Sequence, residues 1–224
     1  MFCAIRMRNI NEGYRIMKMM QSGRSMIEML GVLAIVGILA VAGIAGFSKM
    51  MMQHRISTTV EQIGMISSKL SAIGSKSSSY NGLSNAAALK LGAIPSDATP
   101  PSGSTLTNVF GGDITIAPTS MAGGTSTDKM AYTITYSNLP EEACIAIASN
   151  EWSNSRNSTL MGIAAGKGSI SAATIVPGCA GSKADGLAVA CPDGSTLSLP
   201  MDVGTATNAC SCTSSGCTVI LKYR

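Results

Sequence analysis

Residues 23–47 read GRSMIEMLGVLAIVGILAVAGIAGF, and the rest of the chain is organised around this stretch. From Met29 to Phe47 there are 19 residues without a charge, close to the roughly 20 that a helix needs to cross a bilayer. Glu28 stands at the N-terminal edge of this run, where a carboxylate is costly unless it has a partner. The stretch therefore predicts a membrane-length helix that carries one functional acid.

The helical pattern continues past the apolar stretch. After a polar segment, the positions of one face recur in steps of three and four, at Ile56, Val60, Ile63, Ile66 or Ser67, Leu70 and Ile73. This spacing is typical of one face of an amphipathic helix, and Gly74 with the serine-rich residues 75–79 is a stop signal. We expect one helix from about Ser25 to about Gly74, roughly 75 Å long, whose second half packs on the domain that follows.

Residues 75–224 predict an antiparallel α+β domain rich in loops. Alternating or β-branched segments bounded by glycine and proline are typical of short strands, and Pro140-Glu141-Glu142 is a good first turn of a helix. The predicted helices are Leu83–Leu91 and Leu139–Ser149, and the predicted strands are Asp113–Ala117, Met130–Ser137, Ser169–Val176, Leu187–Ala190, Ser195–Leu199 and Thr218–Tyr223.

Charge is distributed unevenly along the chain. The net charge is +4, and residues 1–23 carry four basic residues against one acidic residue, which leaves +1 for the rest. A basic surface for nucleic acid is therefore not supported. The positive flank instead predicts a cytoplasmic N-terminus, as the positive-inside rule expects.

The cysteines are divided by the same apolar stretch. Cys3 precedes it, and the six that follow it are Cys144, Cys179, Cys191, Cys210, Cys212 and Cys217. An even number on the outer side predicts up to three disulfides in an oxidising compartment. The close spacing of the last three also suits a metal site, but no histidine lies near them, so disulfides are favoured. Six cysteines allow 15 connectivities, and the spacing leaves them open.

The segment Gly23-Arg24-Ser25-Met26-Ile27-Glu28-Met29-Leu30 resembles the class III signal of type IV pilins and pseudopilins. In that resemblance Gly23 ends a leader, Arg24 begins the mature chain, and Glu28 is its fifth residue. Arg24 departs from the family pattern, in which the first mature residue is usually hydrophobic and becomes N-methylated. The leader of 23 residues, the mature length of 201 and the late cysteines resemble the type IVb, PilS-like branch.

The resemblance implies the pilin fold, a long N-terminal α-helix followed by an antiparallel sheet with short helices. It implies a cleaved leader at 1–23, a helix at 24–74 whose segment 24–47 lies in the membrane and then in the filament core, and a disulfide-stapled head at 75–224. It also implies that Cys144 pairs with a late cysteine, most simply Cys217. Glu28 would pair with the N-terminal ammonium of its own or a neighbouring subunit and so set the filament register.

The partners implied by the resemblance are identical subunits, a prepilin peptidase, an inner-membrane assembly platform and its cytoplasmic ATPase. The chain would lie in the inner membrane with its head in the periplasm and then in an extracellular pilus for adhesion, aggregation or conjugative mating. No cofactor, metal or nucleic acid is expected.

Several alternatives stay open beside the pilin. A minor pilin or a secretion pseudopilin has the same signal, and a periplasmic disulfide-rich binding module on an anchor belongs to another class. An ordinary secretory signal, cut after small residues such as Ala40 and Ala42, would not need Glu28, and its apolar region is normally shorter; a plain anchor explains only the apolar run. The one histidine, His54, lies within the predicted helix, far along the chain from any nucleophile, so we predict no enzyme.

Overall fold

The structure is a computed structural model that describes residues 26–74, 76, 79–98, 105–122, 127–152, 159–184, 186–212 and 216–224. The predicted leader, including Gly23, lies outside these ranges, and so does Arg24, which the resemblance implies as the first mature residue. The chain divides into two compact units, Met1–Met51 and Met52–Arg224.

Helix α1 covers Met26–Gly74 and confirms the predicted long helix. It contains no proline, and Leu, Ala, Met and Ile supply most of its first half, so nothing interrupts the backbone hydrogen bonds. The helix ends at the expected residue for a reason of packing: a Cβ on Gly74 would overlap the Tyr80 ring. Gly74 therefore lets the chain that follows fold back closely on the end of α1.

Within the second unit, α1 buries one face against the head. The buried residues are Ile56, Thr59, Gln62, Ile63, Ile66 and Leu70. Four of them, Ile56, Ile63, Ile66 and Leu70, belong to the predicted apolar face, whereas the predicted Val60 and Ile73 are half-buried. Two polar side chains, Thr59 and Gln62, are buried beside them. Each buried isoleucine or leucine contributes about 1.5–3 kcal/mol to holding the helix on the sheet.

The described residues of the head form a sheet of seven strands, ordered β1-β2-β3-β7-β4-β6-β5, in which every neighbouring pair is antiparallel. The strands are β1 Leu106–Thr107, β2 Asp113–Thr119, β3 Ala131–Leu139, β4 Leu160–Lys167, β5 Ser182–Ala184, β6 Leu187–Ala190 and β7 Cys217–Tyr223. The C-terminal strand β7 is the central one and is buried along its whole length.

Both faces of the sheet are covered. Along β7, Val219 and Leu221 belong to the main core under the helices, whereas Ile220 belongs to a second cluster on the opposite face, as alternating side chains require. Ile175 is buried in this second cluster, and Ile170 packs against it. The loop that contains them therefore takes the place of a second helical layer.

That loop corrects one predicted strand. Residues 169–176 make no strand, although their β-branched residues favour one, and the strand of this region is instead β4. Ile170 and Ile175 are five positions apart, so a strand would send them to opposite faces, whereas both pack on the same face of the sheet. β4 reads LMGIAAGK and is buried at its first seven positions, so it has no polar alternation and few of the residues that favour strands.

The predicted strand Ser195–Leu199 is also wrong, because only Ser198 forms an isolated bridge, with Cys191. The described residues contain three shorter α-helices, α2 Asn85–Lys90, α3 Glu141–Ala148 and α4 Val203–Ala209, and one turn of 3-10 helix at Ser96–Ala98. Helices α2 and α3 lie inside the predicted limits. Helix α4, VGTATNA, was not predicted because five of its seven residues are Val, Gly, Thr and Asn, which have weak helix propensity. Asp202 caps it, and the Thr205 hydroxyl and N–H that donate to this carboxylate lower its pKa.

Candidate functional site

The candidate site is the apolar surface of α1 between Met26 and Phe47. Its large apolar side chains range from 51% exposed at Met29 to 85% exposed at Met26. They include consecutive residues such as Ile35 and Val36, so the helix is apolar on all sides. A helix of this kind needs lipid or protein around it, because water does not stabilise an apolar surface on all sides.

This surface has the length of a bilayer core. The 22 residues from Met26 to Phe47 extend about 33 Å at 1.5 Å per residue, against about 30 Å of hydrocarbon. By length and composition, α1 is the one helix among the described residues that could cross a membrane.

Glu28 is exposed in the first turn of α1 and is the one charged residue between Met26 and Ser48. The N-terminal end of a helix favours a carboxylate because unpaired N–H groups are concentrated there. The structure places Glu28 at the expected end of the apolar surface. Gly23 and Arg24 lie outside the described residues, so pairing of Glu28 with a new N-terminus stays a prediction.

Hydroxyl groups and tyrosines attach the other end of α1 to the head. The Tyr132 hydroxyl donates to the Ser67 carbonyl at 3.1 Å and lies 3.0 Å from the Ser71 hydroxyl. The Tyr132 ring stacks on Tyr223 with centroids 5.3 Å apart and contacts Tyr80 at 4.7 Å. Burial raises the pKa of Tyr132 and of Tyr223 further above the value of about 10 at which an ordinary tyrosine ionises.

A comparison of two tyrosines tests this attachment. Tyr132→Phe removes a hydroxyl that bonds α1, and we expect the free energy of unfolding to fall by about 1–1.5 kcal/mol. Tyr136→Phe is the matched control, because the buried Tyr136 hydroxyl has no hydrogen-bond partner among the described residues; this change should be neutral or stabilising. Chemical denaturation in detergent, followed by Trp152 fluorescence, measures both. Equal losses would contradict the role of the Tyr132 hydroxyl.

Two polar contacts fix α1 to the segment after α2. The Gln62 amide donates to the Asp97 carboxylate at 2.5 Å, and the Lys69 ammonium donates to the Gly92 carbonyl at 2.7 Å. The sequence did not reveal that Gln62, Ser67 and Ser71 bond α1 to the head. Their positions beside the apolar face were the available signal, since polar groups there need partners once the helix docks.

One more polar residue that the sequence did not reveal lies on the face of the sheet away from α1. Lys222, in β7, is 1% exposed, and its ammonium donates to the Ile175 carbonyl at 2.6 Å. Burial lowers the pKa of Lys222, and the negative charge of Asp128 acts in the opposite direction. This hydrogen bond ties the covering loop to the central strand.

The six late cysteines form three disulfides: Cys144–Cys210, Cys179–Cys191 and Cys212–Cys217. Cys144 is bonded to a late cysteine, as the family resemblance implies, but the partner is Cys210 and the choice of Cys217 is wrong. Cys144 in α3 is bonded to the residue that ends α4, and this bridge closes a segment of 66 residues. Bridges of that span typically contribute about 2–4 kcal/mol. Cys210 lies beside Cys144 because helix α4 packs on helix α3. The spacing of the cysteines in the sequence does not reveal this contact between helices.

Comparisons with known proteins agree with this architecture. The family model described as PilS N terminal matches residues 53–222. The type IVb pilin from Salmonella typhi is 21% identical, with 75% of this chain and 99% of that chain covered and a TM-score of 0.49. TcpA, a type IV pilin from the Vibrio cholerae El Tor biotype, is 17% identical, with 76% and 99% covered and a TM-score of 0.50; this likeness concerns the fold. No curated protein matches the chain.

Proposed function

The chain belongs to the PilS N-terminal family of type IVb pilins, and on this premise we propose that it is a pilus subunit cleaved after Gly23 and polymerised through α1. The observation that carries the proposal is the apolar surface from Met26 to Phe47, exposed on all sides. Before assembly the bilayer covers this surface, and in a filament the same surface of neighbouring subunits covers it.

The energetics of this transfer differ from those of folding in water. Apolar area is worth about 25 cal/mol per Å² against water, which keeps the helix out of solvent at every stage. Against lipid the hydrophobic gain is small, and helix association depends on close packing and on polar contacts. Assembly therefore needs a specific contact that the bilayer does not supply, and Glu28 is the residue able to make it.

Glu28 makes this contact with the N-terminal ammonium of a neighbouring subunit. Both charges are costly inside an apolar filament core unless they meet, because removing one partner of a buried pair costs about 3–5 kcal/mol. The pair therefore defines the axial register of each added subunit. Cleavage after Gly23 is required first, because it creates the ammonium group.

The proposed route uses three partners besides identical subunits. A prepilin peptidase cuts on the cytoplasmic face, and an inner-membrane platform with its ATPase moves the subunit into the filament. The head is periplasmic before assembly and lies on the outside of an extracellular pilus afterwards. We propose a structural role without catalysis, in adhesion, aggregation or conjugative mating.

N-terminal sequencing of the mature protein, combined with shearing of cells, tests this function. A start at Arg24 and abundance in sheared filaments support a major pilin. A start at Arg24, with only a small amount of the chain in the sheared filaments, supports a minor pilin or pseudopilin. A start near Gly43 indicates a secreted module, a start at Met1 indicates a plain anchor, and either result contradicts the proposal.

A substitution at the junction makes the cleavage step separately testable. Gly23→Val should block the peptidase, so the chain accumulates in the membrane with its 23-residue leader and forms no filaments. Gly31→Val is the control, because it also replaces a glycine with valine and an added Cβ at this position would meet open space. This variant should be cleaved. Mass spectrometry of the membrane fraction distinguishes the two forms. A mature Gly23→Val chain beginning at Arg24 would overturn the assignment.

A further inference from the structure

Two of the three disulfides lie side by side in the buried core of the head. The Sγ atoms of Cys144, Cys210 and Cys217 all lie within 4.8 Å of one another, although they belong to two different bridges. The Cys217 Sγ is also 3.1 Å from the Cys210 carbonyl oxygen. Together with Cys212 these residues form what we call the cysteine cluster.

The residues of the cysteine cluster differ in their exposure to solvent. Cys144, Cys210 and Cys217 are completely buried, whereas Cys212 is half-buried. Thiol–disulfide exchange begins with a thiolate reaching one sulfur of a bridge. A thiol in solution therefore reaches the Cys212 end of the Cys212–Cys217 bridge, while the Cys144–Cys210 bridge is shielded by the core.

We propose that the cysteine cluster is a thiol–disulfide relay, in which the Cys212–Cys217 bridge is the entry through which thiols open or close the buried Cys144–Cys210 bridge. The proximity of the Cys217 sulfur to the buried bridge carries this inference. It is independent of whether the chain forms filaments.

The relay exchanges one S–S bond for another at each step. An external thiolate attacks the Cys212 Sγ, forms a mixed disulfide there and expels Cys217 as a thiolate. The Cys217 thiolate attacks the Cys210 Sγ, forms a Cys210–Cys217 bond and expels Cys144 as a thiolate, which takes a proton from water. The external thiol, a small molecule or a thiol–disulfide oxidoreductase, is the one co-reactant.

The reverse sequence closes the long bridge during folding. Cys210 and Cys217 are seven positions apart, so their bond closes a short loop at a lower entropy cost than the 66-residue segment. Once α3 docks, the Cys144 thiolate attacks this bond at Cys210 and frees Cys217. The Cys217 thiolate then displaces the external thiol from Cys212. A short bridge is thereby converted into the long one that holds α3.

The relay is tested by the rate at which dithiothreitol exposes Cys144. The full chain in detergent is treated with dithiothreitol, quenched with N-ethylmaleimide at intervals, and analysed by peptide mass spectrometry. Labelling of Cys144 should be at least about tenfold slower in Cys212→Ser/Cys217→Ser than in the native chain, because an intramolecular thiolate acts at millimolar or higher effective concentration. Equal or faster labelling in this variant overturns the relay.

A matched control removes the other bridge. Cys179→Ser/Cys191→Ser also deletes one disulfide, but it leaves the cysteine cluster intact. Labelling of Cys144 should then be at least as fast as in the native chain. A slowing equal to that of the first variant would attribute the effect to bridge loss in general and would overturn the relay.

Trapping the intermediate gives a test that needs no variant. The native chain is exposed to limiting glutathione and quenched with N-ethylmaleimide, which should yield a Cys210–Cys217 linked peptide together with labelled Cys144. Labelled Cys217 with the Cys144–Cys210 bridge intact, as the sole intermediate, overturns the proposal. This test decides the matter even where the serine variants fail to fold.

Discussion

Replacing Glu28 with alanine is expected to abolish filaments while the chain still inserts in the membrane and loses its leader. The apolar surface from Met26 to Phe47 does not depend on this carboxylate, so insertion is retained. In the filament, the ammonium group of the neighbouring subunit would remain buried without a counter-charge, at a cost of about 3–5 kcal/mol for each contact. That cost corresponds to a loss of roughly 10²–10³-fold or more in subunit affinity.

Electron microscopy and the yield of sheared protein measure this effect, and N-terminal sequencing of the membrane fraction verifies cleavage. Glu28→Gln retains the size of the side chain without its charge and should also fail. Glu151→Gln removes an exposed acid of the head and should leave the yield unchanged. A normal filament yield from Glu28→Ala or Glu28→Gln would exclude the ionic register contact.

Replacing Ile66 with aspartate is expected to unfold the head. Ile66 is completely buried between α1 and the sheet, so the substitution removes apolar contacts and buries a carboxylate without a partner. We expect the free energy of unfolding to fall by at least about 4 kcal/mol, which places the change among the most severe single substitutions.

The adjacent residue supplies the control for this prediction. Met65 is 43% exposed on the other side of α1, and Met65→Asp should cost less than about 1 kcal/mol, because the new charge stays in water. Denaturation of the full chain in detergent, followed by the fluorescence of Trp152, reports on the head. Trp152 packs against the core and donates to the Ile147 carbonyl at 2.9 Å. Similar losses for the two variants would contradict the docking of α1 through the Ile66 face.

The fold class was predictable because its strongest signals are local. The charge-free run after Glu28 and the spacing of Ile56, Ile63 and Leu70 lie within one continuous helix, so each residue's neighbours in sequence are also its neighbours in space. Strands β3 and β7 were found from their alternating and β-branched residues. Strand β4 was missed because it is buried on both faces and rich in glycine and alanine, and its position between β7 and β6 is decided by contacts distant in sequence.

The candidate site divides in the same way. Glu28 and the apolar surface were found from the sequence, since a charge at the edge of a membrane-length run is visible in a single window. The bonds from Tyr132 to Ser67 and Ser71 join residues more than sixty positions apart. No sequence pattern around either partner predicts that the two segments come into contact. The pairing of Cys144 depends on α4, a helix of weak intrinsic propensity that was not predicted.

The sequence by itself determined that this protein has a long N-terminal helix with an apolar first half, one acid at its edge, and an antiparallel head with oxidised cysteines. It did so because hydrophobic length, periodicity and composition act over neighbouring residues. The tertiary structure alone decided that β7 is the central strand, that Cys144 is bonded to Cys210, and that two disulfides share one cluster. These features depend on which distant segments pack together, because the free energy of packing belongs to the assembled core and not to any segment of the chain.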